Sequence, residues 1–163
     1  IAIANFEGPV YLRFGRPSVA NFTTENLGFE IGKGIKLKNG DDVTIVATGH
    51  LVWEALEAAK ELESQGINSE VINIHTIKPL DEDMILKSTL KTGCLVSAEE
   101  HNYLGGMGES IAGFLAKQNP CPIEFVATQD TFGESGTPSQ LMAKYGLDKD
   151  AIVKKVLAVK NRI

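Results

Sequence analysis

The sequence predicts a three-layer α/β/α domain around a mostly parallel sheet of about five strands, one of them an antiparallel edge strand. Three observations lead there. From residue 42 onward, short β-prone apolar runs alternate with stretches of helical spacing, and helix start and stop signals fall between them. The runs are continuous rather than alternating, as in strands buried on both faces. A length of 163 residues with 43% hydrophobic and 23% charged residues suits a single core-forming domain and gives no compositional sign of disorder.

The elements follow in order. Val10 to Phe14 alternates weakly and is β-prone, and Gly15, Pro17, Ser18, Asn21, Thr23, Thr24 and Asn26 then arrive in the manner of a linker or loop. Residues 29–38 alternate polar and apolar before Asn39-Gly40, a strong hairpin turn signal, and Asp42 to Thr48 is a β-branched run. An antiparallel pair leading into a buried strand is therefore expected. Val52, Ala55, Leu56, Ala59 and Leu62 lie at helical spacing with Gly66 as the stop, and Glu70 to Ile74 reads as a second buried strand. Asp81 caps a helix that Gly93 ends, and Cys94 to Ala98 forms a third strand. A helix is expected over 106–118, with Met107, Ile111, Phe114 and Leu115 facing inward, before a fourth strand at Ile123 to Ala127. Thr137-Pro138-Ser139-Gln140 is a capping box with proline at the first helical position, and Gly146 closes that helix. A final helix starts at Asp148 and Asp150 and carries its lysines toward its end, as the helix dipole prefers. Strands alternating with helices require right-handed crossovers and a parallel sheet.

Composition narrows the function. A formal net charge of −5 argues against non-specific binding to a phosphate backbone, and no stretch is long and apolar enough for a membrane-spanning helix. The two cysteines, Cys94 and Cys121, fit neither a paired metal-ligand spacing nor a disulfide framework and read as reduced core thiols of a cytoplasmic protein. Ile1 opens the chain without Met or a signal segment, so the sequence is expected to have been cut from something longer.

Ligands of open α/β sheets gather at the carboxyl ends of the strands. There the sequence places Thr48-Gly49-His50, then residues 75–81, then Glu99-Glu100-His101-Asn102-Tyr103, and finally residues 129–136. All three histidines lie on that rim. His101, Glu99, Glu100, Asp130 and Glu134 could in principle form a metal or acid/base site, but no HExxH or HxH spacing supports one. Gly105-Gly106-Met107-Gly108 lies between a strand and a helix, where bare amides could cradle an anion. The GxGxxG pattern is incomplete, however, and glycines there also suit close backbone approach within the subunit or across an interface. No nucleophile elbow is present.

Several segments taken together resemble the C-terminal domain of transketolase, over nearly the whole chain. They are residues 8–16 (GPVYLRFGR), residues 41–49 (DDVTIVATG), Ile77-Lys78-Pro79-Leu80-Asp81, Glu99-Glu100-His101 with Gly105-Gly106-Met107-Gly108, and residues 132–136 (FGESG) with Lys144-Tyr145-Gly146-Leu147. The last motif looks like transketolase, above all the form split into two subunits. The Lys-Pro-Leu-Asp and glycine-rich segments are similar across the wider thiamine-diphosphate family.

The resemblance implies a larger cytoplasmic transferase of the pentose phosphate pathway, a dimer that moves a two-carbon ketol unit between sugar phosphates using thiamine diphosphate and a divalent cation such as magnesium. Residues 1–28 would be the tail and exit linker of a preceding pyrimidine-binding domain, and residues 29–163 the C-terminal domain. Neither the family's cation-and-diphosphate motif nor its activating glutamate has a matching position, so no catalytic residue and no bound metal is expected in this fragment, which would be inactive alone and would support dimerisation and frame the active site. Arg16 aligns with the arginine that grips the substrate's phosphate, a task suited to a guanidinium. Gly105, Gly106 and Gly108 remain an anion-binding or interface loop, and His101 and Glu100 rim candidates. The alternatives are a stand-alone anion- or nucleotide-binding regulatory module, or the equivalent domain of 1-deoxyxylulose-5-phosphate synthase or of a 2-oxo acid dehydrogenase beta subunit.

Overall fold

The computed structural model describes residues 1–15, 17–24 and 27–163. Among the described residues, five strands form one sheet: β1 (Ile35–Lys38), β2 (Val43–Ala47), β3 (Ser69–Asn73), β4 (Leu95–Asn102) and β5 (Ile123–Thr128), in the order β1-β3-β2-β4-β5. Only β1 runs antiparallel, at the edge against β3; the remaining pairs are parallel. Five helices, α1 (Leu51–Ser64), α2 (Glu82–Thr92), α3 (Met107–Gln118), α4 (Pro138–Lys144) and α5 (Lys149–Lys160), flank it, and a short 3-10 turn covers Ala2–Asn5.

The layers follow from burial. Val52, Ala55, Ala59 and Leu62 of α1 and Ile152, Val156 and Val159 of α5 meet Val43, Ile45 and Val71 on one face of the sheet. Ile85 of α2 and Met107, Ile111 and Leu115 of α3 meet Val46, Ile72 and Leu95 on the other. Every residue of β2 and β3 is buried, which is why they read as unbroken runs. The expected caps are present: the Asp81 carboxylate accepts from the Met84 amide, Asp148 accepts from Ala151, and Gly93 ends α2 at φ 75°.

One expectation fails, and one β-prone segment stays unpaired. Asn39-Gly40 does not turn a hairpin, because β3 lies between β1 and β2 and takes β1 as its own antiparallel neighbour. Gly40 is instead buried where any Cβ would collide with the Ser69–Glu70 backbone, so this glycine answers a close approach and not a turn. Val10 to Phe14 forms no strand. It pairs with neither edge of this sheet, β1 or β5, so its amides and carbonyls join no ladder.

The basic end of the chain is spent on packing. Lys155 and Arg162 both reach Glu124 of β5, at 2.8 and 2.9 Å, and hold that carboxyl below its ordinary value, the Lys155 hydrogen bond most of all.

The sheet also buries a charge. Glu70 of β3 has a fully buried side chain, yet it accepts from Ser88 at 2.5 Å and pairs with Lys91 at 2.5 Å and Lys36 at 2.9 Å. Ser88 in turn shares a hydrogen bond with Thr44, 2.6 Å away, and Thr44 another with Thr92 at 2.7 Å, tying α2 to β2 and β3. Burial alone would raise the Glu70 carboxyl, but the hydrogen bonds from Lys91, Ser88 and Lys36 outweigh it and hold the group below its ordinary value.

Two outcomes are expected. Glu70→Ala costs about 3–5 kcal/mol in urea unfolding, since it strips a buried pair of one member, whereas Lys36→Ala, with its half-exposed ammonium, costs under about 1 kcal/mol. Because the folded pKa of Glu70 is depressed, its stabilisation is complete above the unfolded carboxylate value and is lost as pH falls through the lowered folded value. An acid titration of melting temperature therefore shows a step in the parent chain that Glu70→Gln lacks.

Candidate functional site at the carboxyl rim

The winding of the sheet selects one crevice. The connection after β2 passes through α1 to β3 on one side, while that after β4 passes through α3 to β5 on the other, and the two helices lie on opposite faces. The chain thus diverges at the carboxyl ends of the neighbouring strands β2 and β4, where open α/β sheets bind ligands.

Two loops meet there. Gly49, at φ 59°, turns the chain out of β2 and delivers His50 to the start of α1. Glu100 comes from β4, which runs on to Asn102 and does not end at Ala98, because Asn102 still pairs with Thr128 beyond an irregularity. His50 Nδ1 lies 3.2 Å from Glu100 Oε2. Over this pair runs a strap without regular secondary structure, residues 10–15, whose Arg13 guanidinium donates to the Glu100 carbonyl at 3.1 Å. Gly15 sits directly on the imidazole: a Cβ there would come within 2.5 Å of both Cε1 and Nε2 of His50. The crevice is therefore floored by His50 and Glu100 and roofed by the chain's own strap.

Beside it, the amino end of α3 is already served. The Glu99 carboxylate, 3% exposed, accepts from the amides of Met107 and Gly108, both at 2.8 Å. Glu109 accepts from the Gly105 amide at 2.5 Å. A Cβ on Gly106 would meet Glu99 Oε1 at 2.6 Å, and one on Gly108 would collide with Ser97 and Phe125. Gly106 and Gly108 thus permit close approach of α3 to β4 and β5, and the charge at this helix terminus comes from within the chain.

The remaining rim residues disperse. His101 turns its Nδ1 to the Asn102 carbonyl at 2.8 Å, Asp130 accepts from Asn102 at 2.9 Å, and Glu134 pairs with Lys144 at 2.6 Å. Together with Glu99 and Glu100, these five side chains have five separate engagements, and among the described residues no group of three His, Cys, Asp or Glu could hold a metal ion. His75 stacks on Phe29, with ring centroids 4.2 Å apart, and burial pushes its imidazole below the ordinary value. The residue 132–136 loop is held by the Tyr145 hydroxyl, which donates to the Phe132 carbonyl at 3.2 Å, and it flanks a groove of about 320 Å³. A second groove, about 420 Å³, lies away from the rim between β1 and α2, over Glu70 and its lysines.

Arg16, the expected phosphate ligand, lies outside the described residues, directly after Gly15 in sequence. Glu100 is at the crevice and His101 is turned aside from it. His50 and Gly15 were missed as partners: the sequence set His50 on the rim without singling it out and offered Gly15 as loop punctuation and as part of the residue 8–16 segment. Position after β2 was the available signal for His50. Cys94 is buried and Cys121 half-buried, both are free thiols, and desolvation raises both above the ordinary value.

An open α/β sheet with helices on both faces and a crevice at its switch point defines a three-layer α/β/α domain. The chain belongs to the family described as transketolase, C-terminal domain, whose model matches residues 32–152. A 6-deoxy-6-sulfo-D-fructose transketolase subunit from Clostridium sp. (strain MSTE9) is 44% identical over 96% of this chain and 48% of its own length. An apulose-4-phosphate transketolase subunit of Phocaeicola vulgatus is 34% identical over 95% of this chain and 50% of its own. The solved structure of a split gene transketolase, described as an inactive beta4 tetramer, is 43% identical and superposes with a TM-score of 0.94 over 98% of this chain and 54% of that one. A 1-deoxy-D-xylulose-5-phosphate synthase of Geobacter sulfurreducens is also similar, 38% identical over 90% of this chain and 24% of its own. The chain spans about half the length of the first two of these relatives.

Glu99→Ala is expected to cost about 2–4 kcal/mol in urea unfolding, since it removes two charge-assisted hydrogen bonds from buried amides, and added sulfate should restore part of the loss in the variant while leaving the parent unmoved.

Proposed function

We propose that this chain is the C-terminal domain of a split transketolase, which transfers a two-carbon ketol unit between sugar phosphates with thiamine diphosphate and a divalent cation. The observation that carries the reading is the superposition on a split gene transketolase over 98% of the chain. Residues 1–28 serve as the tail and exit linker of the pyrimidine-binding domain, and residues 29–163 as the C-terminal domain. The exposed apolar side chains of the first segment, Tyr11 at 88% and Phe14 at 83%, suit cover by that domain.

The described residues do not fit the cofactor. The amides at the start of α3 are taken by Glu99, and no three ligating side chains converge. Thiamine diphosphate and its cation are therefore assigned to the other domains or subunit. This chain's part is to frame the site: Arg16 serves as the ligand of the substrate's phosphate, as the family resemblance implies, and the rim, with the Gly105, Gly106 and Gly108 loop as an interface, supports a homodimer in the cytoplasm. The placement of Glu99 favours this reading over a stand-alone anion- or nucleotide-binding module.

The test is ketol transfer by the pure chain with thiamine diphosphate and magnesium, expected to be absent and to appear when the remaining domains are supplied; measurable transfer by the chain alone overturns the framing role. In the complete enzyme, Arg16→Ala should raise KM for a phosphorylated acceptor by roughly 10- to 100-fold and leave an unphosphorylated acceptor almost unaffected.

A further inference from the structure

We propose that Asn39-Gly40 is a site of spontaneous covalent modification in the folded chain, where the Asn39 side-chain amide is lost through a cyclic imide to give aspartate and isoaspartate.

The dipeptide turns no hairpin, and the fold demands its glycine for another reason. A Cβ on Gly40 would lie 2.2 Å from the Ser69 carbonyl carbon and 2.5 Å from the Glu70 nitrogen, backbone atoms that cannot swing aside. Position 40 is therefore closed to any other residue. The same missing side chain removes the steric shield between an asparagine and the nitrogen that follows it.

The surroundings leave that nitrogen within reach. β1 ends at Lys38 and β2 begins at Val43, so residues 39–42 lie outside both ladders and strand pairing does not fix the torsions of Asn39. Asn39 is exposed, and among the described residues the Gly40 amide enters no backbone hydrogen bond. The Gly40 nitrogen, its proton taken by solvent base, attacks the side-chain carbonyl carbon of Asn39. The new C–N bond closes the imide as the C–NH2 bond breaks and ammonia leaves, and water then opens the ring at either carbonyl.

Asn68 supplies the contrast within the same molecule. It too is exposed, but Ser69 after it carries a side chain, is buried, and pairs with Val43 in the β2–β3 ladder, so its amide is expected to persist. Asn39 lies at the amino end of the parallel strands, opposite the crevice. Its conversion to aspartate places a third carboxylate beside Asp41 and Asp42 and leaves the rim unaltered.

The experiment ages the full chain in mildly alkaline buffer, folded and in parallel in urea. Peptides are then mapped for a mass gain of about one unit and for isoaspartate by enzymatic methylation. Conversion at Asn39 in the folded chain should run within about tenfold of its rate in urea, because a reaction that needed global unfolding would be slowed about 1000-fold or more. Asn68 should stay intact in the folded chain, and Asn39→Gln should remove the isoaspartate signal. A folded-chain rate at Asn39 more than about tenfold below that in urea overturns the proposal, since the fold then protects the site. Isoaspartate that persists in Asn39→Gln overturns its placement at this residue.

Discussion

The organisation of this molecule depends on a constraint of handedness. A parallel crossover is right-handed, so reversing the direction of travel across the sheet forces the connecting helix onto the opposite face. Here the reversal falls between β2 and β4, and it leaves a gap where α1 and α3 part company. Everything of functional interest collects in that gap: His50 at the start of α1, Glu100 on β4, the Glu99 carboxylate under α3, and the strap across the top. The crevice is a product of topology before it is a product of any side chain.

Two buried carboxylates show how the fold meets the cost of charge in its interior. Glu70 is neutralised by lysines that approach from the surface, and Glu99 by amides whose dipoles are aligned along a helix. Each fastens a helix to the sheet, α2 in the first case and α3 in the second. The two sites lie at opposite ends of the strands, Glu70 near the start of β3 and Glu99 toward the end of β4, so the helical layer on that face is pinned at both ends.

Much of the fold was legible in the sequence because its signals are local. Caps such as Asp81, Thr137 and Asp148, the stop at Gly93, and the buried runs of β2 and β3 each express a preference that the tertiary structure leaves in place. The hairpin reading failed because pairing partners are not a local property: Asn39-Gly40 carries a strong turn signal, yet β3, some thirty residues further on, claims the edge strand. At the site, the rim could be located from the strand ends, but the partners could not. Glu99 looked like one more rim carboxylate until the strand was seen to continue beneath α3, and nothing in the spacing of Gly15 and His50 announces that they touch. Contacts between segments far apart in sequence, made by a single glycine and a single ring, leave no periodic trace.

The strap has a consequence for the handling of the chain. Val10 to Phe14 is a β-prone stretch with large apolar side chains in solvent and, among the described residues, no strand beside it. Such a stretch is a template for edge-to-edge pairing, the first step toward aggregation. Anchored at one end by His50, it is also held open in a shape that a second molecule could match strand for strand. The segment that roofs the crevice is thus also the one from which self-association is expected to start, a colloidal liability separate from folding stability.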